Sequence, residues 1–323
     1  MSNNREDDNG LALAADASVR YIARTRAWYS ALGYEMPYRW ARNEEVPFTR
    51  LAKPLSRCRV ALVTTAAPFQ ADKGDQGPGA PYNGAAKFFS VYSFDSRADA
   101  DLRISHIAID RKHTTAADIG TYLPGRVLRA ALAAGRVGEL SPRFHGLPTN
   151  RSHRVTLDVD GPELVARCVA DRVDAAILVP NCPVCHQSTA LAARALEVSG
   201  VATVVMGCAK DIVDAAGVPR FVFSDFPLGN SAGRPHDPAS QALTLELALS
   251  LLESATAPRT TVKSPLRWND DPSEAWKLDY CNAGQLSAGE LHHRRAEFDA
   301  AKVDAQTTKS LPRVTGELAS EVR

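Results

Sequence analysis

The stretch that decides the fold runs from Val173 to Met206 and reads VDAAILVPNCPVCHQSTALAARALEVSGVATVVM. It begins with a mostly apolar run, 173–179, that predicts a buried strand, and residues 201–206 predict a second strand. Between them, residues 188–198 repeat their apolar side chains at helical spacing. A strand, a helix and another strand in this order favour two parallel strands joined by a helical crossover.

The same alternation extends in both directions from this stretch. Further strands are predicted at 59–65, within 88–110 (ending at 104–110) and at 220–223, and further helices at 123–135, 162–172, 209–216 and 239–254. Strands that alternate with helices predict an α/β fold with a mostly parallel sheet and helices on both faces. We expect Rossmann-like or flavodoxin-like halves.

Three segments are predicted along the chain. Residues 1–57 comprise a polar tail (1–20) and an arm rich in aromatic side chains. We expect this arm to pack on its own domain or on a second subunit, or to cover the site as a lid. Residues 58–256 form the α/β core, as one unit or as two similar lobes at about 58–155 and 156–256. Residues 257–323 form a C-terminal extension.

Composition excludes several classes of protein. The 38 basic and 37 acidic residues leave a formal net charge of +1, which provides no electrostatic footprint for nucleic acid or an anionic membrane. The sequence contains no apolar run of membrane-spanning length, and its first residues are too polar for a signal peptide. We therefore expect a cytoplasmic protein. In a reducing compartment, clustered cysteines indicate catalysis or metal binding more than structural disulfides.

A Cys-x-x-Cys pair, Cys182 and Cys185, lies between the strand predicted at 173–179 and the helix predicted at 188–198. Backbone N–H groups at a helix start favour a thiolate, so we expect this position to lower a thiol pKa from about 8.5 toward neutrality. His186 follows directly and is a candidate to stabilise the thiolate or donate a proton, with a solvent-facing histidine as the alternative. The pair predicts a thiol active site.

Other loops are expected to meet this pair, because ligands bind beyond the carboxyl ends of parallel strands. Residues 207–210, which carry Cys208, and residues 226–230 each follow a strand. Cys208 is a second candidate thiol, or a small buried residue at a strand end. Cys168 is predicted to be a core residue. The expected substrate-binding residues are Thr65, Asp110, His113 and Asn230; weaker candidates are His106, His145, His153 and His236, and His292 and His293 are expected on a solvated helix face.

The chain resembles the selenoprotein B subunits of glycine, sarcosine and betaine reductases and their D-proline reductase relatives over about residues 58–256. The segment AILVPNCPVC at 176–185 carries most of this resemblance and places Cys182 at the selenocysteine position, with Cys185 at the cysteine three residues later. Further matching segments are VVMGC at 204–208, PLGN at 227–230, ALVTT at 61–65, and the helix at 127–135 followed by RVGEL at 136–140.

The resemblance implies an oxidoreductase that uses thiols to cleave a carbon–heteroatom bond, such as C–N, in a small substrate. Cys182 would be the attacking thiolate and Cys185 or Cys208 the resolving thiol, reset by an external dithiol such as a thioredoxin-like protein or a small thiol. A thiol replaces the more reactive selenol here, so the substrate is expected to be more electrophilic. Family members work with a separate chain that carries a pyruvoyl group. We therefore expect either a second subunit or a different chemistry in this protein. We also expect a homo-oligomer.

Two alternatives remain open from the residues alone. Cys182, Cys185 and Cys208, with His186, form a thiolate and imidazole set that zinc would accept, which would indicate a hydrolase or lyase. A non-catalytic redox subunit that binds a partner through its aromatic arm is the other. No bound cofactor is predicted, because the sequence contains neither a dinucleotide fingerprint after its first strand nor a P-loop lysine.

Overall fold

A computed structural model describes residues 17–104 and 106–310 of the chain. The strands are β1 (Arg59–Thr64), β2 (Ala67–Pro68), β3 (Tyr92–Asp95), β4 (Leu102–Arg103), β5 (Glu139–Leu140), β6 (Arg143–Gly146), β7 (Ala175–Val179), β8 (Ala202–Gly207), β9 (Arg220–Phe223) and β10 (Thr260–Lys263). The helices are α1 (Tyr21–Ala31), α2 (Gly125–Ala133), α3 (His153–Val155), α4 (Gly161–Ala170), α5 (Pro183–Val198), α6 (Lys210–Ala216), α7 (Pro238–Ser254) and α8 (Ala288–Ser310). A π-helical turn, Thr156–Asp160, joins α3 to α4.

One eight-stranded sheet forms the centre of the molecule. Its strand order is β10-β9-β8-β7-β1-β6-β3, and β5 also pairs with β1. All pairs are parallel except β6 with β3. The α/β fold with a mostly parallel sheet is therefore confirmed. A separate pair, β2 and β4, is antiparallel.

The central strands are buried on both faces, which explains why they read as continuous apolar runs. In β1, Val60 and Leu62 join the apolar cluster that includes residues of α2 and α7. The alternate residues Ala61 and Val63 join the cluster formed with α4 and α5. Cys168 is fully buried in this second cluster, as predicted. Helices therefore cover both faces of the sheet.

The main error in the predicted elements is the strand expected at 104–110. Residues 107–109 instead form a turn, and Ser105 lies outside the described residues. The guanidinium group of Arg111 donates to the backbone carbonyls of Ala80, His106 and Ile107, so these carbonyls bind the arginine rather than a neighbouring strand. This turn brings the segment to the carboxyl edge of the sheet.

Both ends of the described chain pack on the core. Strand β10 extends the sheet past the predicted boundary at 256, through parallel pairing with β9. Arg295 of α8 donates to the carbonyl of Leu32 at 2.8 Å, and the Tyr34 hydroxyl donates to Asp299 at 2.9 Å. The arm and α8 thus form one clasp. The division into segments and lobes stays a prediction, and most of the predicted polar tail lies outside the described residues.

Candidate active site

The turn between β7 and α5 is tied to the end of β1. The backbone N–H and side-chain amide of Asn181 both donate to Oγ1 of Thr65, at 3.1 and 3.0 Å. Thr65 is fully buried and does not line the cavity described below. The structure therefore does not place it where it could contact a substrate in that cavity. Thr65 acts as an anchor that fixes where the next residue, Cys182, begins the helix.

Cys182 and Cys185 lie together at the start of α5, which begins at Pro183 rather than at 188. Cys182 is the N-cap residue, and its sulfur accepts the backbone N–H of Cys185 at 3.4 Å. The two sulfurs are 2.9 Å apart, and both are free thiols. Cys182 lines a cavity, whereas Cys185 is fully buried behind it. Cys182 is therefore the sulfur that a small molecule can reach.

The environment lowers the pKa of Cys185 and not that of Cys182, contrary to expectation. Burial raises the pKa of the Cys182 thiol well above its ordinary value, and its hydrogen bond to Cys185 adds to this. Burial also disfavours the Cys185 thiolate, but hydrogen bonds from Cys182, His106 and Thr149, together with the charge of His106, bring its pKa well below the ordinary value. Thr149 Oγ1 lies 3.1 Å from Cys185 Sγ. The two thiols thus share one proton, and the pair ionises as a unit.

His186 connects two loops, and both of its ring nitrogens bind backbone groups. Its Nδ1 donates to the carbonyl of Cys182 at 2.8 Å, and its Nε2 accepts the backbone N–H of Cys208 at 2.9 Å. Burial lowers its pKa to about 4, so the ring is neutral at physiological pH. The expected solvent-facing position is wrong, because His186 is fully buried, and its expected role at the thiols stays a prediction.

The loops after β7, β8 and β9 do converge, as the topology predicts. His186 joins the first to the second, and Ser231 donates to the carbonyl of Pro180 at 2.6 Å. Cys208, however, packs in a separate apolar cluster with Tyr21 and Trp276. Its sulfur lies 3.7 Å from Ser231 Oγ, and burial raises its pKa to about 12. The structure therefore separates Cys208 from the sulfur pair.

The zinc alternative requires three thiolate or imidazole ligands in one place. Within residues 17–104 and 106–310, no three histidine, cysteine or acidic side chains come together in a way that could hold a metal ion. Cys208 packs elsewhere, and both ring nitrogens of His186 bind backbone groups. The donor set proposed from the sequence does not fit zinc.

A cavity of about 310 Å³ lies over Cys182 and is roofed by aromatic side chains. The arm supplies Trp28 and Tyr29 from α1, and Tyr38 and Trp40 from the extended segment that follows. The arm is held to its own domain by Gln187 of α5, whose side chain accepts from Ala41 N at 2.7 Å and donates to the Tyr38 hydroxyl at 2.8 Å. The arm thus both packs on the core and covers the site.

Several ionisable side chains face this cavity. Asp110 lines it and is only 3% exposed, and its Oδ2 has no hydrogen-bond partner among the described residues. Burial raises the pKa of Asp110 to about 6. Burial, and then the charge of Arg151, lower the pKa of Lys87 to about 8. Both groups titrate near neutrality, which suits proton transfer beside the sulfur.

Other predicted site residues support loops instead. His113 pairs with Asp279 at 2.9 Å through its Nε2. Asn230 donates its amide to Thr114 Oγ1 at 2.7 Å and to the carbonyl of Pro227. Neither lines the cavity, whereas Asp110 and the weaker candidate His106 do. The remaining histidines lie elsewhere: His145 is buried beside Ser93, His236 lines a separate depression, His153 lines a neighbouring cavity, and His292 and His293 are exposed on α8.

The sequence interpretation missed several residues that line the cavity. Thr149 and Arg151 follow β6, and the same carboxyl-edge rule that selected the cysteine loop could have selected them. Lys87 lies just past the Gly- and Pro-rich loop at 73–84, and a loop of that kind after a first strand often lines a site. Cys281 and Phe298 carry no such signal, because they come from the C-terminal segment. Their place in the site follows only from the folded chain.

Comparison with known proteins gives one similarity of consequence. The chain is 29% identical over 214 residues to the D-proline reductase subunit gamma of Acetoanaerobium sticklandii, which covers 65% of this chain and 85% of that protein. This supports a distant relationship to the proline/glycine reductase family, and not to one particular member of it. No protein family model and no solved structure matches the chain. No described helix has the length and apolar character needed to cross a membrane.

Proposed function

We propose that this chain is a thiol-dependent reductase that cleaves a carbon–heteroatom bond of a small electrophilic substrate. The observation that carries the proposal is the pair of free sulfurs, 2.9 Å apart, of which Cys182 lines a cavity and Cys185 is fully buried beside it. A nucleophile that a substrate can reach, backed by a second thiol in contact, is the arrangement that a two-thiol reduction needs.

The first step is attack by Cys182 on the carbon that carries the leaving group. The singly ionised pair places its charge on Cys182 when the shared proton moves to Cys185 across the 2.9 Å contact. A C–S bond then forms as the carbon–heteroatom bond breaks, and the leaving group departs with that bonding pair and takes up a proton. Asp110, whose pKa burial raises to about 6, and Lys87, with a pKa of about 8, are the proton donors that the cavity offers.

The second step is attack by the Cys185 thiolate on the sulfur of Cys182. An S–S bond forms while the C–S bond breaks, and the carbon leaves with the electron pair and is protonated. The substrate carbon gains two electrons, and the two thiols lose two and become a disulfide. Because carbon must leave as a carbanion equivalent, the substrate carries a carbonyl or carboxyl group next to the reacting carbon. An external thiol reductant then restores the pair.

The relative supports a reductase role and a partner chain. That protein is a subunit of D-proline reductase, so we propose that this chain also works with a second subunit. We propose no bound metal and no bound organic cofactor. A purely non-catalytic redox subunit would not need its sulfur to line a cavity of small-molecule size, and for that reason we favour catalysis.

Mass spectrometry of the intact protein tests the two-thiol mechanism. The probes are small carbonyl compounds with an amino, hydroxyl or halogen leaving group on the α carbon. In Cys185→Ser, which lacks the resolving thiol, the electrophile should remain attached to Cys182. The unmodified sequence should instead release the reduced product and accumulate a Cys182–Cys185 disulfide.

Two variants provide the controls for this experiment. Cys182→Ser should lose at least about a thousandfold in product formation, because the attacking sulfur is gone. Cys208→Ala removes a buried thiol outside the pair and should retain the product and the disulfide. Product formation by Cys182→Ser, or a disulfide that maps to Cys208, would contradict the mechanism.

A further inference from the structure

A second cavity, of about 690 Å³, adjoins the one that contains Cys182. The two share part of their lining, which comprises Tyr29, Tyr38, Tyr82, Lys87, Ile107, Arg151 and Phe298. A molecule bound in this outer cavity therefore lies next to the chamber that holds the reactive sulfur.

The outer cavity is strongly cationic. Its lining contains Arg39, Lys87, Arg151, Lys302 and Lys309, and none of its lining residues is Asp or Glu. None of these five side chains forms an ion pair within residues 17–104 and 106–310; Lys87 lies over the ring of Phe89. Of two nearby acids on α8, Asp299 is paired with Arg295, whereas Asp304, which interacts with Tyr82, forms no ion pair within the described residues and offsets one of the five cations. Five cations around one cavity raise the local concentration of anions.

The position of the sulfurs limits what can reduce them. Cys182 is 4% exposed and Cys185 is fully buried, so an oxidised pair would lie at the bottom of a partly open cavity with little sulfur surface accessible. Disulfide exchange requires an incoming sulfur to reach one of the two sulfurs directly. A folded protein whose thiol sits on its own surface cannot enter this chamber, whereas a small flexible dithiol can. Access therefore favours a small molecule and charge favours an anion.

We propose that the outer cavity is the binding site for a small anionic dithiol, which enters through it and reduces the Cys182–Cys185 disulfide. This rests on the proposed two-thiol reduction. One thiolate of the dithiol attacks Cys182, which forms a mixed disulfide and releases Cys185 as a thiol. Its second thiol then displaces Cys182 and closes a cyclic disulfide. The dithiol loses two electrons and two protons, and the protein pair gains both.

The anion preference can be measured first without any reductant. Iodoacetate and iodoacetamide alkylate thiols with the same displacement of iodide and differ in charge. Because both are α-halo carbonyl compounds, the reaction is measured in Cys185→Ser, in which the adduct stays on Cys182. The measured quantity is the alkylation rate of Cys182 with iodoacetate divided by its rate with iodoacetamide. The same ratio for 2-mercaptoethanol serves as the reference. We expect the ratio at Cys182 to be about 10 times the reference at low salt and to fall as salt rises. A ratio near one at all salt concentrations would overturn the anion site.

Charge-reversal variants locate the effect in the outer cavity. Arg39 and Lys302 are exposed and lie in the outer cavity but not in the inner one. Replacing both with Glu should abolish most of the tenfold preference while leaving alkylation by iodoacetamide unchanged. The matched control is Arg57→Glu, because Arg57 is an exposed cation just before β1, at the opposite edge of the sheet. An equal loss of preference in this control would overturn the assignment to the outer cavity.

The reductant itself is tested on protein in which the disulfide has been formed by mild oxidation. Dihydrolipoate and dihydrolipoamide carry the same dithiol and differ only in a carboxylate. We expect dihydrolipoate to reduce the pair several-fold faster, an advantage lost in the Arg39→Glu/Lys302→Glu variant, and a thioredoxin to be slower than both. Equal rates for the two small dithiols, or a faster thioredoxin, would overturn the inference. If no Cys182–Cys185 disulfide forms, it is the proposed function that fails.

Discussion

The two edges of the central sheet bury charge in opposite ways. At the amino edge, the carboxylate of Glu197 meets Arg220 at 3.0 Å and the hydroxyl of Thr203 at 2.8 Å, and it also accepts the backbone N–H of Thr49. Glu197 and Arg220 have fully buried side chains. At the carboxyl edge, oxygen atoms of Asp110 and Asn181 are buried with no partner among the described residues.

This difference supports the proposal that the site lies at the carboxyl edge. Buried polar groups normally find hydrogen-bond partners, and those that do not mark places where a ligand can supply them. The amino edge satisfies the carboxylate of Glu197 with its own groups, although Nε of Arg220 is buried there without a hydrogen-bond partner among the described residues. At the carboxyl edge the unpaired atoms are oxygens, and they lie near Cys182 and its cavity. Three variants test this contrast, from the largest expected effect on stability to the smallest.

Glu197→Ala should cause the largest loss, because it leaves the guanidinium of Arg220 buried without its carboxylate. We expect the free energy of unfolding to fall by about 3–5 kcal/mol. Urea unfolding followed by circular dichroism measures this. The matched control is Glu163→Ala, which breaks the exposed pair of Glu163 with Arg167 and should cost less than about 0.5 kcal/mol. Equal losses in both variants would show that the amino edge is not specially dependent on its ion pair.

Asp110→Asn should have the opposite sign at neutral pH. Burial raises the folded-state pKa of Asp110 to about 6, above its ordinary value of 3.8. The protonated carboxyl therefore contributes stability below about pH 4, which is lost as the pH rises through about 6. The neutral amide avoids this loss, so the variant should be more stable than the parent by about 1–3 kcal/mol at pH 7 and equal to it near pH 4.

Urea unfolding between pH 4 and pH 7 measures this difference. Asp118→Asn is a control of opposite sign: burial acts to raise the pKa of Asp118, but hydrogen bonds from His236, Gly120 and Gln241 outweigh it and hold that pKa below its ordinary value. That variant should be destabilised most at neutral pH. A stability difference for Asp110→Asn that does not change with pH would contradict a buried carboxylate at the carboxyl edge.

Cys168→Ala should have the smallest effect. Cys168 is fully buried in the cluster between the sheet and α4, away from the sulfur pair. Loss of its sulfur should cost about 1 kcal/mol through lost packing and leave alkylation of Cys182 unchanged. A loss of Cys182 reactivity without a loss of stability would show that thiols outside the carboxyl edge take part in the chemistry.

The sheet could be predicted because its signals are local. Fully buried strands such as β1 and β7 read as short apolar runs, and the carboxyl-edge rule then places the loops after β7, β8 and β9 together. The expected strand at 104–110 was wrong because a single side chain, Arg111, binds the carbonyls that a strand would have used. No periodicity in the sequence records such a contact.

The roof of the site and the role of His186 could not be predicted for a related reason. Trp28 and Phe298 reach the cavity from opposite parts of the chain, so their positions depend on the completed fold. The burial of His186 depends on Gly207, where an added Cβ would come within 2.8 Å of the imidazole ring. Spacing next to Cys185 suggested a catalytic histidine, whereas packing made it a bridge between two loops.

The clasp between the arm and α8 has a consequence for biosynthesis. Arg295 and Leu32, which it joins, are 263 residues apart in sequence. At ribosomal speeds of about 5–20 residues per second, the second half of the roof emerges about 13–50 s after the first. Cys185 precedes Arg295 by 110 residues, so the sulfur pair lacks the α8 part of its roof for only about the last 6–22 s of that interval. The α8 side of the roof is thus completed only near the end of translation.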